Sequence, residues 1–420
     1  MASRVFAVLI GIDQYKSGDI WDLHSSASDA RGIKHWLVND LKVPRSQVIT
    51  LLDEQASLDS IEASLRHHLL NNDKIQTGDA ILIYFAGHGS SVRTPSDWVD
   101  DETAANARVE VLCPYDHETK TADGRVAGIS ARAMHTFLRD LSSRKGNNIT
   151  FIIDSSFTPP HSRERAHTRW TTSNKALPED LYSGPLAAER SRKIHESFYD
   201  CNSSHTLIAA STASGTAVEG KEGGRFTSLF LETVRSMPLH STSFPSLMDH
   251  ISRKMGDAQQ PMFADHKGSR FLLNAIPFIE DERFVPVRPH DDNTLRLDVG
   301  TLDGIVKGGQ LSLHTHNYSG SRNLPIANAI VCDVQPTWCT VAVRSKSRYT
   351  LLPNPCWARI DQHRALASVV KASCTSVLQK MGIHQKRSNS LPASVPPVPT
   401  RSSSFDKMEI SETELAVPML

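Results

Sequence analysis

Over the first 275 residues, compact apolar runs alternate with stretches in which apolar residues recur every three or four positions. The runs Arg4 to Gly11 (RVFAVLIG), Gln47 to Leu52, Asp79 to Gly87 (DAILIYFAG), Asn148 to Asp154 (NITFIID), Thr206 to Ser211 (TLIAAS) and Arg270 to Asn274 predict strands. Helices are predicted over Ser28 to Asn39, from Ser57 with Ile61, Leu65, His68 and Leu69 on one face, and over Ser130 to Leu141, Gly224 to Ser236 and Phe244 to Met255. Strand and helix in alternation predict an α/β fold, a mostly parallel sheet covered on both faces.

Two stretches break this pattern. The first is a long polar insertion, Thr158 to Ser204, rich in Pro and basic residues and set between two predicted strands. As a structureless loop of this length it reads as functional or disordered. The second begins after Asn274. Leu295 to Val299, Gln310 to Thr315, Ala327 to Val334 and Cys339 to Val343 are short strands with Gly-, Asn- and Pro-containing turns, which predicts a small antiparallel β domain. The resulting division is an α/β domain over 1–277, a β domain over 290–362, a helix over 363–382 and a Ser/Pro-rich disordered tail over 385–420.

Composition narrows the function classes. Lys plus Arg and Asp plus Glu both number 46, so the formal net charge is zero, which speaks against bulk-charge binding of nucleic acid or anionic membrane. The longest apolar runs are strand-length, too short for a membrane span, and the N-terminal run reads as a first strand rather than a signal peptide. Six Cys without paired short spacings fit reduced thiols of the cytoplasm, with the nucleus as an alternative.

Parallel sheets place ligands at the carboxyl ends of their strands. Two such ends carry chemistry here. One strand runs into Gly87-His88-Gly89-Ser90, the other into Asp154-Ser155-Ser156. A His between glycines at a strand end is accessible, with backbone N–H groups beside it free to bind an anion.

Several ordered motifs then resemble one family. They are LHSSASDA after the first strand, IYFAGHGS, VLCPYDHE (Val111 to Glu118), RVAGISARAM (Arg125 to Met134), KGNNITFIID and HTLIAAS followed by GGRFTSLFLE. Together they resemble the caspase and metacaspase clan of cysteine endopeptidases, in the form of fungal metacaspase-like proteins, over roughly the first 275 residues. The resemblance implies a six-stranded caspase-like sheet in three layers. It implies that His88 is the general base and acid and that the Gly89 N–H forms the oxyanion hole with the N–H of the nucleophile residue. It also implies that Asp29 and Asp154 line a pocket selecting Arg or Lys, while helix capping and a bond to a backbone N–H remain the alternative roles for these two.

The chain departs from the family at one place. Where the family has Asp-x-Cys-His-Ser-Gly, this sequence has Asp154-Ser155-Ser156-Phe157-Thr158-Pro159, so the nucleophile position falls on Ser156. A thiol with a pKa near ~8.5 is partly ionised at neutral pH and needs only a loosely placed His. A hydroxyl needs a tightly bonded base oriented by a third group, and no acid stands beside His88 in sequence. The expectation is an endopeptidase homologue that binds Arg- or Lys-bearing peptides or proteins with impaired cutting, acting as a regulatory or scaffold protein. The alternative is residual cutting through His88 with Ser156 or a displaced Cys, with Cys113 and Cys201 as the candidates. The resemblance further implies a monomer, with association to an active relative as a second mode. No cofactor is expected. The acidic stretch Asp97, Asp100, Asp101 and Glu102 reads as a solvated turn, with calcium ligation by Asp100 and Asp101 as its alternative. Arg163, Arg165, Arg169, Lys175 and Arg192 stand in the insertion, where caspase-type enzymes are cleaved.

Overall fold

A computed structural model describes residues 4–360, apart from 99–106, 161–167, 185, 189–195, 201–202, 221–222, 266–270, 272–279, 292, 347–351 and 354. The expected helix over 363–382 and the tail, with Cys201, Asp100 and Asp101, lie outside the described residues. No described helix is long and apolar enough to cross a membrane.

Five parallel strands form the body of one sheet: β1 (Val5–Gly11), β2 (Val48–Leu52), β3 (Ala80–Ala86), and, beyond the smaller strands described below, β9 (Ile149–Asp154) and β10 (Thr206–Ala209). A sixth, β11 (Met262–Ala264), pairs antiparallel with β10. The order is β11-β10-β9-β3-β1-β2. This is the mostly parallel, helix-flanked sheet that the sequence predicts. The sixth described strand is Met262–Ala264, and the expected last strand, Arg270 to Asn274, lies outside the described residues except at Phe271. Phe271 bridges to Ser243. At three residues, β11 is too short to leave a pattern of its own.

Alternate residues of β1 divide between two cores. Val8 and Ile10 pack with Leu65, Leu138 and Ile153 on one side, while Ala7 and Leu9 pack with Ile33, Phe230 and Leu247 on the other. The helices supply matching stripes. In α1 (Ser26–His35) the stripe is Ala27, Ala30 and Ile33, and in α3 (Ala131–Lys145) it is Met134, Phe137, Leu138 and Leu141. In α4 (Arg225–Ser236) it includes Phe226, Phe230 and Val234, and in α5 (Phe244–Met255) Leu247, Met248 and Ile251. Serine caps open α2 (Leu58–Ser64), α3 and α5, through Ser57, Ser130 and Ser243.

Between β3 and β9 lie the short strands β4 (Gly89–Arg93), β5 (Arg108–Leu112), β6 (Lys120–Thr121), β7 (Gly124–Arg125) and β8 (Ile129–Ser130). The polar insertion, read from the sequence as a structureless loop, carries a helical turn at Pro178–Tyr182 and strand bridges at Thr168 and Trp170.

The C-terminal β domain closes into an antiparallel barrel. Its strands are β12 (Phe284–Pro289), β13 (Leu295–Leu297), β14 (Gln310–His314), β15 (Ala327–Val334), β16 (Cys339–Lys346) and β17 (Cys356–Arg359), in the order β12-β13-β16-β15-β14-β17 with β12 also pairing β17. Leu297, Leu313, Val341 and Ala358 fill it.

Candidate active site

The site begins with register. Ala86, the last residue of β3, pairs with Asp154, the last residue of β9. The chain therefore leaves both strands side by side, and Gly87-His88-Gly89 runs alongside Ser155-Ser156. Ser155 donates its hydroxyl to the Gly87 carbonyl at 2.8 Å, tying the two exits together. Gly89 is required by space: a Cβ there would stand 2.2 Å from the Ser156 carbonyl oxygen.

His88 is buried against Tyr15, their ring centres 5.1 Å apart, and its own N–H donates to the Tyr15 hydroxyl at 2.7 Å. Its Nε2 lies 2.7 Å from the Trp21 carbonyl oxygen. A carbonyl only accepts, so the proton resides on Nε2 and Nδ1 carries the bare lone pair. Nδ1 has no hydrogen-bond partner among the described residues. Burial pushes the imidazole down to about 4, against the pull of the Trp21 carbonyl and Glu219. His88 is thus neutral at physiological pH, with a proton acceptor ready and unused.

Ser156 is fully buried and faces elsewhere. Its Oγ accepts the Ala217 N–H at 2.5 Å and donates toward the Ala217 carbonyl at 3.5 Å. Ser156 and His88 share no hydrogen bond among the described residues. Next to it, Phe157 stacks on Phe198 with centroids 4.9 Å apart, so the residue after the nucleophile position is part of the apolar core.

What fills the site is the chain itself. The Arg169 carbonyl oxygen accepts both the Gly89 N–H (3.0 Å) and the Ser156 N–H (2.9 Å). These are the two amides that the family resemblance implies for an oxyanion hole, converging on one peptide carbonyl. The Arg169 N–H donates to the Ala217 carbonyl at 2.9 Å. Its side chain, wholly buried, reaches Asp29 (2.5 Å), Asp154 (2.7 Å) and Glu219 (3.4 Å), and donates to Ser25 Oγ at 3.0 Å.

Each carboxylate is positioned by a separate element. Asp29 comes from the first turn of α1, whose Ser26 and Ala27 N–H groups are capped by Asp13 at 2.6 and 3.2 Å. Asp154 ends β9 and accepts from Thr227 at 2.7 Å, which is itself 2.7 Å from the Tyr84 hydroxyl. Glu219 precedes α4 and accepts the backbone N–H groups of His24 and Ser25, each at 3.0 Å. Burial lifts the Asp29 carboxyl to about 6, Arg169 opposing and Asp154 reinforcing the rise. Burial would lift Glu219 too, but Arg169, the Ser25 hydroxyl and the two N–H groups outweigh it and hold the carboxyl low. For Arg169 burial works against the charge, yet Asp154, Asp29 and Glu219 prevail and raise its pKa further. Three carboxylates around one buried point fit a guanidinium or an ammonium.

Of the residues singled out in the sequence, His88, Gly89, Asp29, Asp154 and Ser156 all stand at this one place. Glu219 was missed. It sits in a loop with no periodic pattern, and only the tertiary fold brings it to the pocket. Cys113 lies beside the site, its N–H on the His88 carbonyl at 3.0 Å, but burial pushes its thiol well up and keeps it protonated. A cleft of about 860 Å³ lined by Asp40, Lys42, Arg235, Asp281, Arg283 and Arg322 shares no residue with the site.

The family model described as a caspase domain matches residues 4–272. Metacaspase-3 of Arabidopsis thaliana is 30% identical over 136 residues, 30% of this chain and 35% of that protein, so the chain spans only about a third of this relative's length. A solved protein of Geobacter sulfurreducens, a structural-genomics target, aligns over 65% of this chain and 99% of its own at 16% identity, with a TM-score of 0.47.

Proposed function

Because the chain belongs to the caspase-domain family, we propose that it is a peptidase homologue that holds an Arg- or Lys-bearing segment without cutting it, and that it serves as a regulatory or scaffold protein. One observation carries this reading: the Ser156 hydroxyl is bonded to Ala217 rather than to His88. A serine nucleophile must pass its proton to the base as it attacks. Here the base, Nδ1 of His88, has no bond to it, and the third group on His88 is the neutral Trp21 carbonyl in place of a carboxylate. The three carboxylates support the choice of a cationic side chain.

A second reading, residual endopeptidase activity, is favoured by the unpaired Nδ1 and the two convergent amides. Fluorogenic peptides ending in Arg or Lys separate the two. They are assayed with and without calcium on the natural protein, His88→Ala and Ser156→Cys. The non-cutting reading expects no turnover by the natural protein beyond that of His88→Ala. It expects Ser156→Cys to gain a thiol-dependent cut after arginine, in the peptides or in its own chain. Turnover by the natural protein that disappears in His88→Ala overturns it.

A further inference from the structure

We propose that residues 168–171 are a built-in occupant of the peptide groove, with Arg169 in the specificity pocket and the Arg169–Trp170 peptide bond held, uncut, in the place of a scissile bond. This deepens the Arg/Lys-binding reading above and rests on it.

The grip has the form of peptide recognition rather than loop packing. Thr168 bridges antiparallel to Val218 and Trp170 parallel to Gly89, so the segment lies as an added strand between two parts of the site. Around Arg169 every backbone polar group is used: the N–H by Ala217, the carbonyl by the amides of Gly89 and Ser156. The Thr171 N–H continues onto the Gly89 carbonyl at 3.0 Å, and Ser90 Oγ donates to the Thr171 carbonyl at 2.7 Å. A loop arginine ordinarily keeps its head in water. This one is fully buried in a pocket whose three carboxylates come from three distant elements, which together form a receptor for it.

A separate anchor holds the segment from outside the pocket. Glu118 accepts the Ser173 hydroxyl at 2.5 Å and the N–H groups of Lys175 and Ala176 at 2.9 and 3.1 Å. With the nucleophile absent, the occupant is not removed by self-cleavage. It leaves only when a second arginine-bearing segment competes for the pocket. A tethered occupant acts at an effective concentration on the order of millimolar, so a free peptide binding at tens of micromolar is weakened roughly tenfold to a hundredfold.

The test uses a fluorescein-labelled peptide of residues 166–172 (AHTRWTT), read by fluorescence anisotropy, with the Arg-to-Glu peptide as control. Its targets are the full-length natural chain, Arg169→Gln, which empties the pocket, and Glu118→Gln, which loosens the anchor and leaves the pocket intact. The expected result is weak binding to the natural chain and binding about tenfold or more tighter in both variants, abolished with the control peptide. Equal affinity in the natural chain and Glu118→Gln overturns the proposal, as does absence of binding to every folded protein. If Arg169→Gln fails to fold, Glu118→Gln decides. Cutting of the peptide would overturn the non-cutting reading while leaving the occupant untouched, so the two fail separately.

Discussion

The arginine pocket and the nucleophile corner are neighbours, and they are built to different standards. In the pocket a buried guanidinium meets three carboxylates and a hydroxyl, and those carboxylates are held in turn by Ser25, Thr227 and backbone amides. In the corner, His88 has one nitrogen satisfied and one without a partner among the described residues, and Ser156 is bonded away from it. The guanidinium is paired on several sides, whereas the Ser156 hydroxyl and the His88 imidazole share no hydrogen bond among the described residues. The difference teaches that pairing a buried cation and aligning a hydroxyl with a base, although both draw on the same strand ends, depend on different atoms.

The comparison can be broken most strongly at Arg169. Arg169→Ala leaves three buried carboxylates without their cation, and removing one partner of such a group costs on the order of 3–5 kcal/mol. Urea unfolding of the full chain should show that loss, and a small guanidinium compound added to the variant should recover part of it. Gly89→Ala comes next. Its Cβ would meet the Ser156 carbonyl at 2.2 Å, backbone against backbone, and overpacking of this kind costs about 1–3 kcal/mol. A melting temperature close to that of the natural protein would show that the two strand exits can move apart.

Ser156→Ala probes the corner. It leaves the buried Ala217 N–H without its acceptor, worth about 1–3 kcal/mol in thermal or urea unfolding. No change in stability would mean that the hydroxyl is free for other work. The smallest effect is outside both: Lys175→Ala removes an exposed ion pair with Asp19 and should shift stability by no more than about 0.5 kcal/mol.

Acidity sharpens the contrast. Asp29 is held above its ordinary value, at about 6, so the folded chain takes up a proton there before the unfolded chain does. That contribution strengthens the fold as pH falls from about 6 and is full below the unfolded value of 3.8. His88 acts oppositely. Its folded value, about 4, lies below the ordinary 6.5, so its contribution is present above 6.5 and is lost as pH falls toward 4. Asp29→Asn should therefore lose stability more steeply than the natural chain between pH 6 and 4. A parallel pair of curves would remove Asp29 from the pocket's acid response.

Much of the sheet was legible because its strands are long apolar runs buried on both faces, as in AILIYFA and ITFIID. The strand ends that carry the site were legible with them. Two barrel strands were not: Phe284–Pro289 is interrupted by prolines, and Cys356–Arg359 is only four residues, so neither shows alternation of useful length. Glu219 and Arg169 were illegible as a pair for another reason. A carboxylate in one loop and an arginine in another carry no local pattern, and the meaning of each comes from contacts 15 to 195 residues away. Arg169 drew notice only as one of several basic residues in a polar insertion, and the local sequence does not distinguish it from its neighbours.

The two donors that hold the Arg169 carbonyl belong to the main chain, as does the acceptor. Hardly any exchange of side chains can delete them; short of proline, or of a residue too large for its buried corner, positions 89 and 156 will always present those amides as long as the strand ends stay in register. The clamp is therefore indifferent to the letter written at position 156. Thiol, hydroxyl or methyl at that position would leave the same two amides turned to the same carbonyl.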